Sequence, residues 1–109
     1  MKALVSGGGG FLGKAIVELL LSKGWTVRSF SRGSYPELEK SGVECLRGNL
    51  SDAAALARAC QGVEIVFHAA AKAGIWGPYK EFYDTNVTGT ENLLAAAKAA
   101  GVSKFVFTS

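Results

Sequence analysis

Ser6-Gly7-Gly8-Gly9-Gly10-Phe11-Leu12-Gly13 follows a short apolar run, Ala3-Leu4-Val5, and precedes a helical pattern of apolar residues. Its glycines are spaced G-x-x-G-x-x-G, the arrangement by which a strand, a tight turn and a helix bring the backbone against a pyrophosphate. We expect Gly7 to permit the turn, Gly10 to leave no Cβ between chain and phosphate, and Gly13 to let the helix lie close to the strand. The stretch therefore predicts a dinucleotide site, with a purely structural glycine loop as the alternative.

The same glycines contain the beginning of another phosphate-binding motif. Gly8, Gly13 and Lys14 have the spacing of a P-loop, G-x-x-x-x-G-K. The next residue is Ala15 rather than Ser or Thr, so the hydroxyl that a P-loop uses to hold Mg²⁺ is missing. The sequence thus favours a dinucleotide over a nucleoside triphosphate.

Length and composition indicate one domain with a sizeable core. The chain has 109 residues, 49% of them apolar, and its net charge of +3 comes from scattered basic residues, which argues against a nucleic-acid surface. It contains no signal-peptide core and no apolar run of about 20 residues, so we expect a cytoplasmic protein without membrane insertion. Cys45 and Cys60 lack metal-ligand spacing, which predicts reduced thiols and no metal site.

Strand-like and helical patterns alternate along the whole chain. Such alternation predicts an α/β fold with a doubly wound parallel sheet of Rossmann type, strand order 3-2-1-4-5. The expected strands span residues 2–6, 26–31, 43–47, 63–69 and 104–108. The expected helices span residues 11–23, 35–40, a stretch from a cap at Ser51 or Asp52 to about residue 61, and 79–100. The ligand crevice should then lie between the first and fourth strands, outside their carboxyl ends.

Ser31-Arg32 stands where the second strand ends. Folds that prefer NAD carry Asp or Glu there, about 20 residues after the glycines, to accept a hydrogen bond from the ribose 2′-hydroxyl. Without that carboxylate nothing repels a 2′-phosphate, and Arg32 can bind it as a planar charged donor. These residues predict a preference for NADP(H), with NAD(H) also accommodated; an ordinary solvated arginine in a turn is the alternative.

The ends of the third and fourth strands hold further candidates. Asn49, within Gly48-Asn49-Leu50, can donate to and accept from adenine, or cap the following turn. Ala69-Ala70-Ala71 has small side chains that would let the backbone approach the cofactor ribose, or would serve helix–sheet packing. His68 lies within an apolar strand and is expected to be a core histidine rather than a catalyst.

A series of motifs runs through the chain in order, at residues 6–13, 48–52, 68–71, 86–94 and 105–109. Together they resemble the extended short-chain dehydrogenase/reductases, which include nucleotide-sugar epimerases and dehydratases, 3β-hydroxysteroid dehydrogenases and related ketoreductases. The segments 34–38 and 71–77 carry a narrower likeness to the 2-alkyl-3-oxoalkanoate reductases of bacterial olefin biosynthesis.

The resemblance implies a role for individual positions. A first group forms the pyrophosphate turn: Gly7, Gly10, Phe11 and Leu12. A second group faces the adenosine half: Ser31, Arg32, Asn49 and Leu50. A third group lies near the nicotinamide half: Ala69, Ala70, Ala71, Asn86, Thr108 and Ser109. The family usually has Asp where Asn49 stands, so an adenine contact here would keep the acceptor and lose the charge.

The resemblance also implies catalytic residues that the chain lacks. Relatives use a Tyr as general acid/base, a Lys four residues later that lowers its pKa, and a Ser that hydrogen-bonds the substrate oxygen. No tyrosine of this chain has a Lys four residues later. By the resemblance all three residues would follow Ser109. We therefore expect residues 1–109 to be the N-terminal dinucleotide-binding portion, its sheet truncated after the fifth strand, of a longer protein with a substrate-binding and catalytic C-terminal part.

The expected function is that of an NADP-dependent oxidoreductase acting on a small-molecule substrate. Hydride would pass between nicotinamide and a carbonyl or secondary alcohol carbon, in a substrate similar to a 3-oxoacid or a 3β-hydroxysteroid. A nucleotide-sugar epimerase or dehydratase with tightly held NAD is an alternative, and a non-catalytic dinucleotide sensor is another if Ser109 is the natural end. The helix at 79–100 could serve a homodimer, although packing on the sheet is the simpler account.

Overall fold

The computed structural model describes residues 1–7, 10–69 and 88–107. Its strands are β1 Lys2–Ser6, β2 Thr26–Ser31, β3 Glu44–Arg47, β4 Ile65–His68 and β5 Lys104–Phe107. Its helices are α1 Phe11–Ser22, α2 Pro36–Lys40, α3 Ala53–Cys60 and α4 Gly89–Ala99. The strands form one parallel sheet in the order β3-β2-β1-β4-β5, which confirms the predicted fold class and topology.

The element bounds differ from the prediction where turns close. β4 begins at Ile65 rather than at residue 63, because the Val63 amide donates to the Cys60 carbonyl at 3.2 Å and so belongs to the turn that ends α3. Of the two residues considered as caps of α3, Asp52 is the one observed, with its Oδ1 accepting from the Ala55 amide at 3.1 Å. The helix expected at 79–100 is described only as α4, since residues 79–87 lie outside the described part.

Two apolar clusters sandwich the sheet and fix its orientation. On one face Val17 and Leu20 of α1 pack with Leu38 of α2. On the other face Leu56 of α3 packs with Leu93 of α4. Because β1 is central and covered on both faces, its residues 3–5 are fully buried, as expected for a parallel strand. Within the described residues, no helix is long and apolar enough to cross a membrane.

A buried arginine joins β2 to the end of α3. Arg28 is 7% exposed, and its Nη1 donates to the carbonyls of Ala59 at 2.7 Å and Gln61 at 2.8 Å, with a longer bond to Arg58. Its Nε donates to Glu44 Oε1 on β3 at 2.8 Å, and this bond holds the pKa of Glu44 below its usual value. Since the last carbonyls of a helix lack intrahelical partners, Arg28 satisfies groups that would otherwise be left unpaired.

Each described connection from a helix to the next strand turns through a glycine in the left-handed region. The φ values lie between 76° and 92°, at Gly24, Gly42, Gly62 and Gly101. L-residues rarely adopt this conformation, and glycine there ends a helix without strain. All of these turns lie at the amino ends of the strands, opposite the edge at which the sequence places its candidate site.

Candidate functional site

A cavity of about 700 Å³ opens at the carboxyl ends of the strands, where β1 lies between β2 and β4. The sequence-predicted residues that line it are Gly7, Gly10, Ser31, Arg32, Asn49, Leu50 and Ala69. They come from four separate chain segments, at or directly after the carboxyl ends of β1, β2, β3 and β4. The cavity therefore occupies the crevice that a doubly wound sheet leaves at its switch point.

Other predicted site residues lie elsewhere or are not described. Phe11 is 96% exposed and Leu12 is 42% exposed, and neither side chain lines the cavity. Any contact of these two residues with a ligand in the cavity would use their backbone amides at the first turn of α1, which have no intrahelical acceptor. Ala70, Ala71, Asn86, Thr108 and Ser109 fall outside the described residues.

The glycine turn contains two glycines with different reasons for lacking a side chain. Gly7 has a φ of +80°, so the turn itself requires glycine, as predicted. Gly10 has φ −79° and ψ 171°, a conformation open to any residue, and a Cβ there would meet only the Gly7 carbonyl oxygen at an ordinary 3.5 Å among the described atoms. The fold as described does not demand glycine at position 10. The missing side chain keeps the cavity wall bare.

The end of β2 places a free cation on the cavity wall. Arg32 is exposed and makes no ion pair or hydrogen bond with any described residue. Among the described lining residues it is the one charged side chain, and none is a carboxylate. Tyr35, which no sequence motif indicated as a site residue, lines the same region. Its ring lies so close over Gly33 that a Cβ on Gly33 would be 2.9 Å from the phenol oxygen. This end of the cavity is suited to an anion.

The end of β3 is held by packing and by a local turn. A Cβ at Gly48 would lie 2.8 Å from the ring of Phe30, so glycine allows this loop to approach the sheet. Asn49 Oδ1 accepts from the Ser51 amide at 3.0 Å, which is the turn-capping role considered as an alternative. Its side-chain NH₂ group makes no hydrogen bond with a described residue, so a ligand contact would use Asn49 as a donor.

His68 lies behind the cavity wall as a fully buried core residue. Its Nδ1 shares a hydrogen bond with Ser6 Oγ, and its Nε2 shares one of 2.8 Å with Thr90 Oγ1. The rings of Phe105 and Phe107 lie beside the imidazole, with centroids 6.1 and 5.7 Å away. Burial lowers the pKa of His68 because it penalises the charged form. The predicted core histidine is observed, with polar partners that the sequence did not indicate.

Several lining residues were not singled out from the sequence: Gly33, Tyr35, Ser51, Thr88, Gly89 and Asn92. Asn92 joins α4 to the loop after β3, since its Nδ2 donates to the Leu50 carbonyl at 3.0 Å. The last three residues belong to the motif at 86–94, so the motif was visible although their place in the cavity wall was not. Their position follows from α4 packing beside α3.

The two cysteines do not form a disulfide with each other in the described structure. Cys45 and Cys60 are both free, and burial raises the pKa of each thiol. No cluster of His, Cys, Asp and Glu suited to a metal ion occurs among residues 1–7, 10–69 and 88–107.

The sheet topology and the cavity at its switch point define an α/β protein of Rossmann type. The chain belongs to the 3-beta hydroxysteroid dehydrogenase/isomerase family, whose sequence pattern matches residues 4–109. This membership confirms the resemblance identified from the motifs.

Individual relatives cover the whole chain. It is 49% identical over 109 residues to a 2-alkyl-3-oxoalkanoate reductase of Stenotrophomonas maltophilia, covering 100% of this chain and 33% of that protein. It is 40% identical over 120 residues to a 3 beta-hydroxysteroid dehydrogenase/Delta 5→4-isomerase of Mycobacterium tuberculosis, covering 99% of this chain and 31% of that protein. The crystal structure of a short-chain dehydrogenase/reductase superfamily protein from Agrobacterium tumefaciens with bound NAD shares 40% identity and a TM-score of 0.86, over 100% of this chain and 32% of that one. The chain thus spans about a third of the length of these relatives.

Proposed function

We propose that this chain is the NADP(H)-binding portion of a longer oxidoreductase, whose substrate is a carbonyl compound or secondary alcohol similar to a 3-oxoacid or a 3β-hydroxysteroid. The observation that carries the proposal is the cavity at the switch point. One part of its wall is the glycine turn, which has no side chains, and another part holds Arg32, with no carboxylate among the described lining residues. The relatives named as an oxoalkanoate reductase and a hydroxysteroid dehydrogenase support the reaction class, and the relative with bound NAD supports a nicotinamide dinucleotide.

The residues of the cavity suit the parts of such a cofactor. The turn from Gly7 to Gly10 and the first amides of α1 would receive the pyrophosphate, because these N–H groups and the helix dipole favour an anion. Ser31 and Arg32 would hold the 2′-phosphate, and Asn49 with Leu50 would lie against adenine. The nicotinamide half would extend toward Ala69 and the residues that follow β4.

The described residues bind and orient the cofactor and do not supply the proton. When bound, the cofactor supplies the hydride. The Tyr35 hydroxyl lies at the Arg32 end of the cavity, away from the end of β4, and His68 is buried behind the wall. No tyrosine of the chain has a Lys four residues later, so we place the proton donor, together with its Lys and the substrate-binding Ser, in the sequence that follows residue 109 of the natural protein.

The test of cofactor choice is Arg32→Ala in the full-length natural protein. Losing a charged hydrogen bond costs about 1.5–3 kcal/mol, so the Kd for NADPH should rise about 10- to 150-fold while the Kd for NADH stays nearly unchanged. Titration of both cofactors by fluorescence measures the two effects separately.

Arg58→Ala is the matched control, because it removes the same charge from the exposed last turn of α3 and its side chain does not line the cavity. It should leave both affinities unchanged. Equal losses for NADPH and NADH in Arg32→Ala would show that Arg32 has a structural role. A comparable loss in Arg58→Ala would show that the general charge of the domain, not a contact, sets the preference.

A further inference from the structure

We propose that His68 is a positioning residue of the cofactor site, holding the glycine turn and the start of α4 in one arrangement through its hydrogen bonds to Ser6 and Thr90. The inference rests on the proposed function, since it concerns the pyrophosphate part of the same cavity. His68 is not among the described residues that line the cavity, and its hydrogen bonds to Ser6 and Thr90 connect it to segments that are.

Burying the His68 imidazole costs free energy of folding unless both of its nitrogens form hydrogen bonds. His68 is the last residue of β4 and lies in register between Ser6 of β1 and Phe107 of β5, in a strand whose other residues are apolar. Burying an imidazole without partners is unfavourable, and an apolar ring would fill this place with no such cost. A neutral imidazole has one donor and one acceptor nitrogen, and each hydroxyl can serve either, so both bonds can be satisfied together.

The first partner, Ser6, fixes the position at which the glycine turn begins. Ser6 is fully buried and precedes Gly7 directly, and its carbonyl accepts from the Ala69 amide at 3.0 Å. A turn composed of glycines has no side chain with which to anchor itself, so its place depends on the residues at its ends. The Ser6 hydroxyl bonded to His68 fixes the residue from which this turn begins.

The second partner, Thr90, fixes the start of α4, which forms another part of the cavity wall. Thr90 lies in the first turn of α4, next to Gly89 and two residues before Asn92, both of which line the cavity. A shift of this turn would move the part of the cavity wall that Gly89 forms. The imidazole therefore links two parts of the cavity wall that are far apart along the chain. Phe105 and Phe107 of β5 pack beside its ring.

The experiment compares two ligands in the full-length protein. NADPH spans the cavity, whereas 2′-AMP carries the adenosine and 2′-phosphate without the pyrophosphate. In His68→Phe the Kd for NADPH should rise about tenfold, the equivalent of about 1.4 kcal/mol, while the Kd for 2′-AMP should stay within about twofold. Ser6→Ala should act in the same direction and should add little in the His68→Phe background, because the Ser6–His68 bond that it removes is already absent there.

Ser29→Ala is the matched control. Ser29 is a buried serine of the neighbouring strand whose Oγ has no hydrogen-bond partner in the described structure, so removing it should change neither affinity. If His68→Phe fails to fold, Ser6→Ala carries the test, since it deletes the single hydroxyl that bonds His68 Nδ1.

The outcomes separate the inference from the proposed function. An equal rise in Kd for both ligands, accompanied by a lower Tm, would show a merely structural histidine and overturn the inference. So would NADPH binding that is lost in Gly10→Val yet unchanged in His68→Phe and Ser6→Ala. If the wild-type protein binds neither ligand, the proposed function itself fails and the inference fails with it.

Discussion

Arg28 should contribute more to stability through the end of α3 than through its ion pair. Arg28→Met keeps most of the apolar stem of the side chain and removes every hydrogen bond of the guanidinium. Two of the lost bonds are short, at 2.7 Å to the Ala59 carbonyl and 2.8 Å to the Gln61 carbonyl. At about 1.5–3 kcal/mol for each charged bond, and with Glu44 free to regain water, we expect the free energy of unfolding to fall by about 3–5 kcal/mol. Domains are stable by about 5–15 kcal/mol, so this loss is large.

Glu44→Gln is the comparison that separates the two contributions. The Glu44 side chain is 53% exposed, so weakening its pair with Arg28 should cost no more than about 1 kcal/mol. Because the Arg28 hydrogen bond depresses the folded pKa of Glu44 below its usual 4.5, the contribution of this pair is present above that value and is lost as the pH falls through the folded pKa. Arg28→Met should therefore flatten the pH dependence of stability in the acid range.

Urea denaturation of the full-length protein and its variants, at neutral and acid pH, measures these quantities. Equal losses in Arg28→Met and Glu44→Gln would refute the reasoning, since they would assign the stability to the ion pair. A loss below about 1 kcal/mol in Arg28→Met would also refute it, because the helix-end carbonyls would then not need the guanidinium.

Two further predictions concern the cavity and the chain itself. Gly10→Val should abolish NADPH binding while circular dichroism stays unchanged, since the backbone at φ −79° accepts valine and a Cβ there meets the described atoms only at ordinary distance. Ala15→Val, on the exposed side of the same helix, is the control. Undiminished NADPH binding in Gly10→Val would contradict the pyrophosphate assignment. Residues 1–109 expressed alone should show no ketone-dependent oxidation of NADPH, because the proton donor is placed beyond them; steady turnover that disappears in Gly10→Val would contradict this.

The fold was predictable because its evidence is local and repeated. Apolar strands, helical stripes and closing glycines occur in alternation, and a parallel sheet is the architecture that accommodates them. The discrepancies are confined to element ends, such as Val63, whose amide bonds back to Cys60. The residue at which β4 begins depends on the geometry of this turn, and residue type alone does not determine that geometry.

The site was predictable where it follows strand ends and was missed where it depends on packing. Gly7, Gly10 and Arg32 stand at such ends and line the cavity. Asn92 and the Arg28 contacts link segments distant along the chain, so no spacing in the sequence indicates them. Asn49 had two roles open, and only its hydrogen bond to the Ser51 amide shows how its side-chain oxygen is used.

The left-handed glycines that connect each helix to the next strand lie at the amino ends of the strands, whereas the cavity lies at their carboxyl ends. Residues that affect stability at these helix-to-strand turns are therefore separate from residues that contact a ligand. Strands of four to six residues, at about 3.3 Å per residue, separate these turns from the cavity by roughly 13–20 Å. Free-energy effects of substitutions usually add when the sites are more than about 7–10 Å apart and share no partner. Changes that retune ligand choice around Arg32 and changes that tighten the Gly42 or Gly62 turns should therefore combine additively, so an engineer can restore at one edge the stability that a new specificity removes at the other.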